Sequence, residues 1–203
     1  VKILLATQNQ GKANEARWIF KGSGWEVITL TDVCPELKIP EDGASYAENA
    51  QKKARAAFGR TGMWTLGEDS GLEVDALQGR PGIMSKRFGG EEATDLERNR
   101  QLLEMMIAVP ESERTARFRC LVCLIDPQGS ERFFEGVCEG RIAHTIRGGY
   151  GFGYDPVFIP EGYALTFAEL GQKVKNLISH RARAFQQVLT YLNSRFPVSS
   201  SHL

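Results

Sequence analysis

The chain has 203 residues, 42% apolar and 25% charged, which suits a soluble globular protein of one domain or two small ones. Lysine plus arginine and aspartate plus glutamate number 25 each; the resulting zero formal charge argues against a nucleic-acid binder held by bulk phosphate neutralisation, though not against a local basic pocket. No apolar run approaches the ~20 residues of a membrane span, and the apolar stretch of Val1-Lys2-Ile3-Leu4-Leu5-Ala6-Thr7 is too short for a signal peptide, so no membrane partner and a cytoplasmic location are expected.

Lys2 to Thr7 reads as an apolar strand, Gln8-Asn9-Gln10-Gly11 as a turn-rich loop, and Lys12 as the opening of a helix reaching Lys21. A second strand covers Trp25 to Thr31, and a loop from Pro35 to Gly43 holds Glu36, Glu41 and Asp42. Ser45 and Glu48 form a capping-box signature before an alanine-rich helix ending near Thr61. The apolar run Met63-Trp64-Thr65-Leu66-Gly67 predicts a short buried strand closed by Glu68-Asp69, with Gly71 allowing a turn after Ser70 and a further strand over Leu72 to Ala76. Gly79-Arg80-Pro81-Gly82 breaks the chain, and Thr94 with Glu97 caps a helix to Ala108. Thr115 to Asp126 and Glu131 to Arg141 predict a long antiparallel hairpin, Gly148 to Gly153 a glycine-rich loop, and Ser179 to Asn193 the final helix. The polar tail, about 196–203, is expected to fray. Strand-helix-strand at the front and a hairpin later indicate an α/β fold with a mixed sheet.

Cys120-x-x-Cys123 resembles a redox or zinc motif, but it lies on a predicted strand, where positions three apart face opposite sides. No second cysteine pair or nearby histidine completes a zinc set, so these thiols are expected to be core residues.

Four constellations and the acidic pair carry candidate chemistry. Glu68 and Asp69 beside Ser70 place two carboxylates and a hydroxyl where a strand is expected to end, which suits magnesium holding a phosphate; a solvated turn capped by Asp69 is the alternative. Thr7 to Lys12 joins a strand to a helix start, where backbone N–H groups and Lys12 attract phosphate, although Ala13 and the glycine spacing depart from a Walker motif. On the helix after Ser45, Asn49 and Lys53 are one turn apart, so Lys53 either reaches a phosphate or stands in solvent. Gly148-Gly149-Tyr150-Gly151-Phe152-Gly153-Tyr154-Asp155 lacks the dinucleotide spacing but suits a base stacked on an aromatic ring, with Asp155 accepting from ring N–H groups. Lys175, Ser179, His180 and Arg181 gather donors at the start of the last helix, for carbonyl oxygens or phosphate or as a solvated, capped helix end.

In their order these segments resemble the inosine triphosphate pyrophosphatase family. The matching stretches are Thr7-x-Asn9-x-x-Lys12, Glu48-Asn49-Ala50-x-x-Lys53-Ala54, Asp69-Ser70-Gly71-Leu72, Pro81-Gly82-Ile83-x-Ser85-x-Arg87, Phe152-Gly153-Tyr154-Asp155-Pro156 and Ser179-His180-Arg181. Glu68 stands where aspartate is common, and Gln8 where glycine is frequent. The resemblance implies a single domain over residues 1–203, with an elongated mixed β-sheet, two α/β lobes and a central active-site cleft. It implies a homodimer, a Mg2+ requirement, and hydrolysis of ITP, dITP or XTP to the monophosphate and pyrophosphate. It also implies that Thr7, Gln8, Asn9, Gln10, Gly11, Lys12, Lys53 and Ser70 hold the triphosphate. Asp69 is then the catalytic carboxylate, joined by Glu41 and Glu68 at the metal, with Lys86 near the substrate. Phe152, Gly153, Tyr154, Asp155, Lys175, His180 and Arg181 face the base. A related pyrophosphatase for modified pyrimidine nucleotides and a non-catalytic nucleotide sensor are the competing readings.

Overall fold

The computed structural model describes residues 1–196. Two compact units share the chain: a first unit of Val1–Asp69, Cys120–Gly136 and the segment from Arg181 onward, and a second of Ser70–Arg119 and Val137–His180.

In the first unit, strand β1 (Lys2–Leu5), helix α1 (Gln10–Phe20) and strand β2 (Glu26–Thr29) form a βαβ unit, with β1 and β2 parallel and Ile3 opposite Val27. Helix α1 starts two residues before the expected Lys12, because Asn9 caps it by accepting from the Lys12 N–H at 3.1 Å. A one-turn helix α2 (Leu30–Val33) follows where the sequence suggested the end of a strand; Asp32 accepts from the Thr29 N–H at 2.8 Å and turns the chain. Helix α3 (Tyr46–Thr61) buries Tyr46, Asn49, Ala50, Lys53, Ala54 and Ala57, the recurrence of one face of a 3.6-residue period. Ser45 caps its start and Gly62, at φ +63°, ends it in the left-handed conformation.

Strand β3 (Thr65–Val74) runs unbroken through Glu68, Asp69, Ser70 and Gly71, which corrects the expected turn after a short strand. It lies between β1 and β4 in the sheet, so ladder pairing claims the backbone of Gly71, which does not take a positive φ. Gly67 is required for another reason: a Cβ there would sit 2.0 Å from the Ala50 carbonyl oxygen and 2.5 Å from the Ala54 nitrogen. This close approach seats α3 directly on β3. Ile3, Leu5, Phe20, Leu66, Val122 and Phe185 belong to the core of this unit.

In the second unit, helix α4 (Asp95–Met105) begins under a Thr94–Glu97 capping box and stops three residues short of the expected Ala108. Strands β4 (Thr115–Ile125) and β5 (Glu131–Ile142), of which Cys120–Gly136 belongs to the first unit, form the expected hairpin: the Asp126 N–H donates to Ser130 at one end and the Ile142 N–H to Arg114 at the other. Strand β6 (Phe158–Pro160) pairs antiparallel with β5. Helix α5 (Phe167–Ile178), with Gly171 at φ +79° inside it, leads into helix α6 (His180–Arg195) of the first unit. β6 and α5 are not among the elements expected from the sequence, although the Thr166–Glu169 capping box that starts α5 has the same signature as those at Ser45 and Thr94. Leu72, Leu102, Phe118, Phe158 and Phe167 pack in this unit's core.

The strand order is β2-β1-β3-β4-β5-β6, a mixed sheet as expected. Cys120 and Cys123 are free and buried in separate clusters on opposite faces of β4. Of the tail expected to fray, Phe196 is described and positions 197–203 lie outside the described residues. Among the described residues no helix is long and apolar enough to cross a membrane.

Candidate active site

Three elements of the first unit bring charge to the middle of β3. From α3, Asn49 and Lys53 reach Asp69 together: the Asn49 Nδ2 donates to Asp69 Oδ2 at 3.0 Å, and the Lys53 Nζ donates to Asp69 Oδ1 at 3.2 Å and to the Glu68 carbonyl at 3.0 Å. From the loop before α3, Glu41 Oε1 lies 2.5 Å from the same Lys53 Nζ. Two carboxylates thus share one ammonium. Burial would lower the Lys53 pKa, but the Asp69 and Glu41 carboxylates outweigh it and hold the value above the ordinary one. Asp69, 4% exposed, has its pKa raised by burial, against the pull of Lys53 and Lys12 and with the help of neighbouring Glu41. The two acids thus raise Lys53 against burial, whereas burial is what raises Asp69.

From α1, the Lys12 Nζ is 3.2 Å from Glu68 Oε1. Glu68 also takes both Nε and Nη2 of Arg181, at 3.1 and 3.0 Å, while Arg181 Nη1 donates to Glu15 at 2.6 Å. Arg181 is 2% exposed, and three of its donors go to carboxylates. Glu15 is not among the candidate residues singled out by the sequence. Its signal was a charged residue on the apolar stripe of α1, three positions after Lys12 and between buried Ala13 and Ala16. The loop over α1 is tied locally: the Asn9 N–H donates to Thr7 Oγ1 at 3.1 Å and Gln8 Nε2 to the Pro35 carbonyl at 2.8 Å.

The second unit gathers a different chemistry. The Lys175 Nζ donates to Asp155 Oδ2 at 2.6 Å and lies 4.3 Å from the centroid of the Phe152 ring. The Phe152 N–H donates to the same Asp155 oxygen at 3.0 Å. His180 is buried and stacks on Phe118, centroids 4.6 Å apart and planes 11° from parallel. The Tyr154 hydroxyl donates to the Ser85 carbonyl at 2.8 Å, Ser85 itself accepts from the Leu72 N–H, and Lys86 is exposed. Ser70 is half-buried on β3.

The candidate residues therefore separate into two groups. Thr7 to Lys12, Glu41, Lys53, Glu68 and Asp69 belong to the first unit; Ser70, Lys86, Phe152 to Asp155, Lys175 and His180 belong to the second. Arg181, grouped by sequence with the base residues, is engaged by Glu15 and Glu68 in the first unit.

Magnesium is commonly held by one or two carboxylates, with phosphate and water oxygens completing its shell. Glu41 and Asp69 fit that donor set, since they already converge on one cationic point; among the described residues no group of three or more metal-ligating side chains is gathered.

The fold is that of solved Ham1 proteins. A Coxiella burnetii HAM1 protein superposes with a TM-score of 0.85 at 39% identity, covering 96% of this chain and 99% of its own. The Staphylococcus aureus Ham1 protein gives 0.84 at 34% identity, with the same coverage. The chain belongs to the Ham1 family, whose family model matches residues 3–191. Among its relatives, a dITP/XTP pyrophosphatase of Desulforamulus reducens is 45% identical over 95% of this chain and 96% of its own length. A dITP/XTP pyrophosphatase of Elusimicrobium minutum is 46% identical over 93% of this chain and 98% of its own.

Proposed function

We propose that the chain hydrolyses non-standard purine nucleoside triphosphates, ITP, dITP or XTP, to the monophosphate and pyrophosphate. The observation that carries this reading is Asp69, a buried carboxylate whose two oxygens are aimed by Asn49 and Lys53 of one helix, with Glu41 beside it. The names of the relatives agree with it. In this reading Asp69 orients the water that attacks the α-phosphorus and takes its proton. The loop from Thr7 to Lys12, with Lys53 and Ser70, neutralises and holds the triphosphate. Glu41 and Asp69 would hold magnesium, which when bound supplies positive charge to the phosphates and polarises the water. Glu68, with both oxygens on cations, serves as the counter-ion that sets Lys12 and Arg181.

Phe152 stacks on the base, and Asp155 accepts from ring N–H groups. Lys175 and His180 donate to the 6-oxo group, and Lys86 lies toward the substrate. Adenine's 6-amino group would strand such donors at about 1–3 kcal/mol each, or roughly two orders of magnitude in kcat/KM for two of them. A homodimer, a cytoplasmic setting and two lobes within a single domain belong to the same proposal.

The test is pyrophosphate release from ITP, XTP, GTP and ATP with magnesium present and after chelation. ITP or XTP should exceed ATP by about a hundredfold, and chelation should stop turnover. Equal values for ITP and ATP would remove the base site; binding of ITP without pyrophosphate release would make the chain a nucleotide sensor.

A further inference from the structure

The glycine-rich loop that carries Phe152 is held by a helix to which no role has been assigned. Asp95 and Asn99 lie one turn apart on α4 and grip Gly153 from both sides. The Gly153 N–H donates to Asp95 Oδ2 at 2.7 Å, and Asn99 Nδ2 donates to the Gly153 carbonyl at 2.9 Å. Gly153 sits at φ +62°, in the left-handed region, immediately between Phe152 and Tyr154. Glycine is the residue with the widest backbone freedom, so rotation there would re-aim the Phe152 ring. With both polar groups of its backbone taken by α4, Gly153 is fixed. Asp95 does this while its other oxygen holds Arg98 at 2.9 Å.

Asn99 has a second telling property. It is 2% exposed, and its Oδ1 has no hydrogen-bond partner among the described residues. A buried amide oxygen without a donor destabilises the fold, and an apolar residue of similar size would avoid that. The bond from its Nδ2 to the Gly153 carbonyl is what an amide supplies at this position and an apolar residue does not.

We propose that Asp95 and Asn99 are positioning residues that preorganise the Phe152 loop and thereby set affinity and selectivity for the purine base. This rests on the assignment of Phe152 and Asp155 to the base. A preorganised loop binds more tightly because its ordering has already occurred in the free protein. Loosening it should weaken binding of the base without touching the groups around Asp69.

Asn99→Leu removes the donor. Asp95→Ala removes the acceptor, whereas Asp95→Asn keeps an acceptor oxygen while losing the same charge from the start of α4. Steady-state kinetics with ITP and ATP, together with melting temperatures, separate the outcomes. In Asn99→Leu and Asp95→Ala, KM for ITP should rise about tenfold and the ITP-to-ATP ratio of kcat/KM should fall by a similar factor, with kcat changing much less. Asp95→Asn should recover most of the ratio. Variants with wild-type KM and ratio would overturn the clamp while leaving the base site standing. A uniform fall in kcat for both substrates with a lowered melting temperature would make the two residues merely structural, and would also overturn it. If wild type does not distinguish ITP from ATP, the base assignment itself fails and the clamp's role with it.

Discussion

Lys53→Met tests the charge arrangement at its centre. Methionine keeps the unbranched stem but removes the ammonium on which Asp69 and Glu41 converge. The Glu41 side chain is 29% exposed and water can take up its charge, whereas that of Asp69 is 6% exposed and is left with Asn49 and the pull of Lys12. Removing one partner from a buried ion pair costs about 3–5 kcal/mol, and the solvation of Glu41 puts this case near 3. At about 2–4 °C per kcal/mol for a chain of this size, the melting temperature should fall by about 6–12 °C at neutral pH. The pH dependence has a definite sign. A lysine whose folded pKa is raised contributes stability that is fully present below its unfolded value of 10.5 and is lost as pH rises through the folded value. The gap between wild type and Lys53→Met should therefore be level near neutrality and close in the alkaline range above it. Acid also closes the gap, by neutralising Asp69. Thermal unfolding followed by circular dichroism, with and without magnesium, gives the readout. Magnesium should raise the melting temperature of the variant more than that of wild type, because the metal takes the place of the missing ammonium. The kcat/KM for ITP should drop about 10- to 150-fold, the value of one charge-assisted contact. A variant that melts within about 2 °C of wild type, and gains no more from magnesium, would refute the shared-ammonium account.

Two further substitutions probe the same unit from its other sides. Asp69→Asn should lower turnover by at least about 10²–10⁴-fold yet leave the protein no less stable at neutral pH, since the folded pKa of Asp69 is raised by burial and its ionised form disfavours folding above the unfolded value of 3.8. Any stability advantage of the variant should vanish as pH falls below that value; a pH series of melting temperatures that shows Asp69→Asn markedly less stable near neutrality contradicts this. Gly67→Ala should drive α3 off β3, because the new Cβ meets backbone atoms of Ala50 and Ala54 rather than a movable side chain. A loss of about 1–3 kcal/mol, accompanied by a fall in kcat as Asn49 and Lys53 leave Asp69, should appear in unfolding curves and turnover alike, and an unchanged melting temperature would show that the close approach is not structurally required.

The division between what the chain shows locally and what only folding decides is visible in particular residues. Asn9, Ser45 and Thr94 cap their helices through bonds to backbone groups three residues away, and the β4–β5 hairpin turns through a few adjacent residues; such contacts are written in short stretches of sequence. The order of the motifs from Thr7 to Arg181 was likewise readable, because it is a property of the sequence itself. The turn expected at Gly71 was not realised: a central strand's hydrogen-bond ladder overrode a local glycine signal. Asn49 and Lys53 could be paired by helical spacing, but whether they met solvent or Asp69 depended on which face of α3 was laid on β3, and the missing side chain of Gly67 permits that contact. Arg181 reaches Glu15 across 166 positions of the chain, and Asn99 reaches Gly153 across 54. Neither partner leaves a mark near the other in the sequence. Their pairing exists only because hydrophobic packing brings distant segments together and then requires every charge or amide caught in the interior to find a partner.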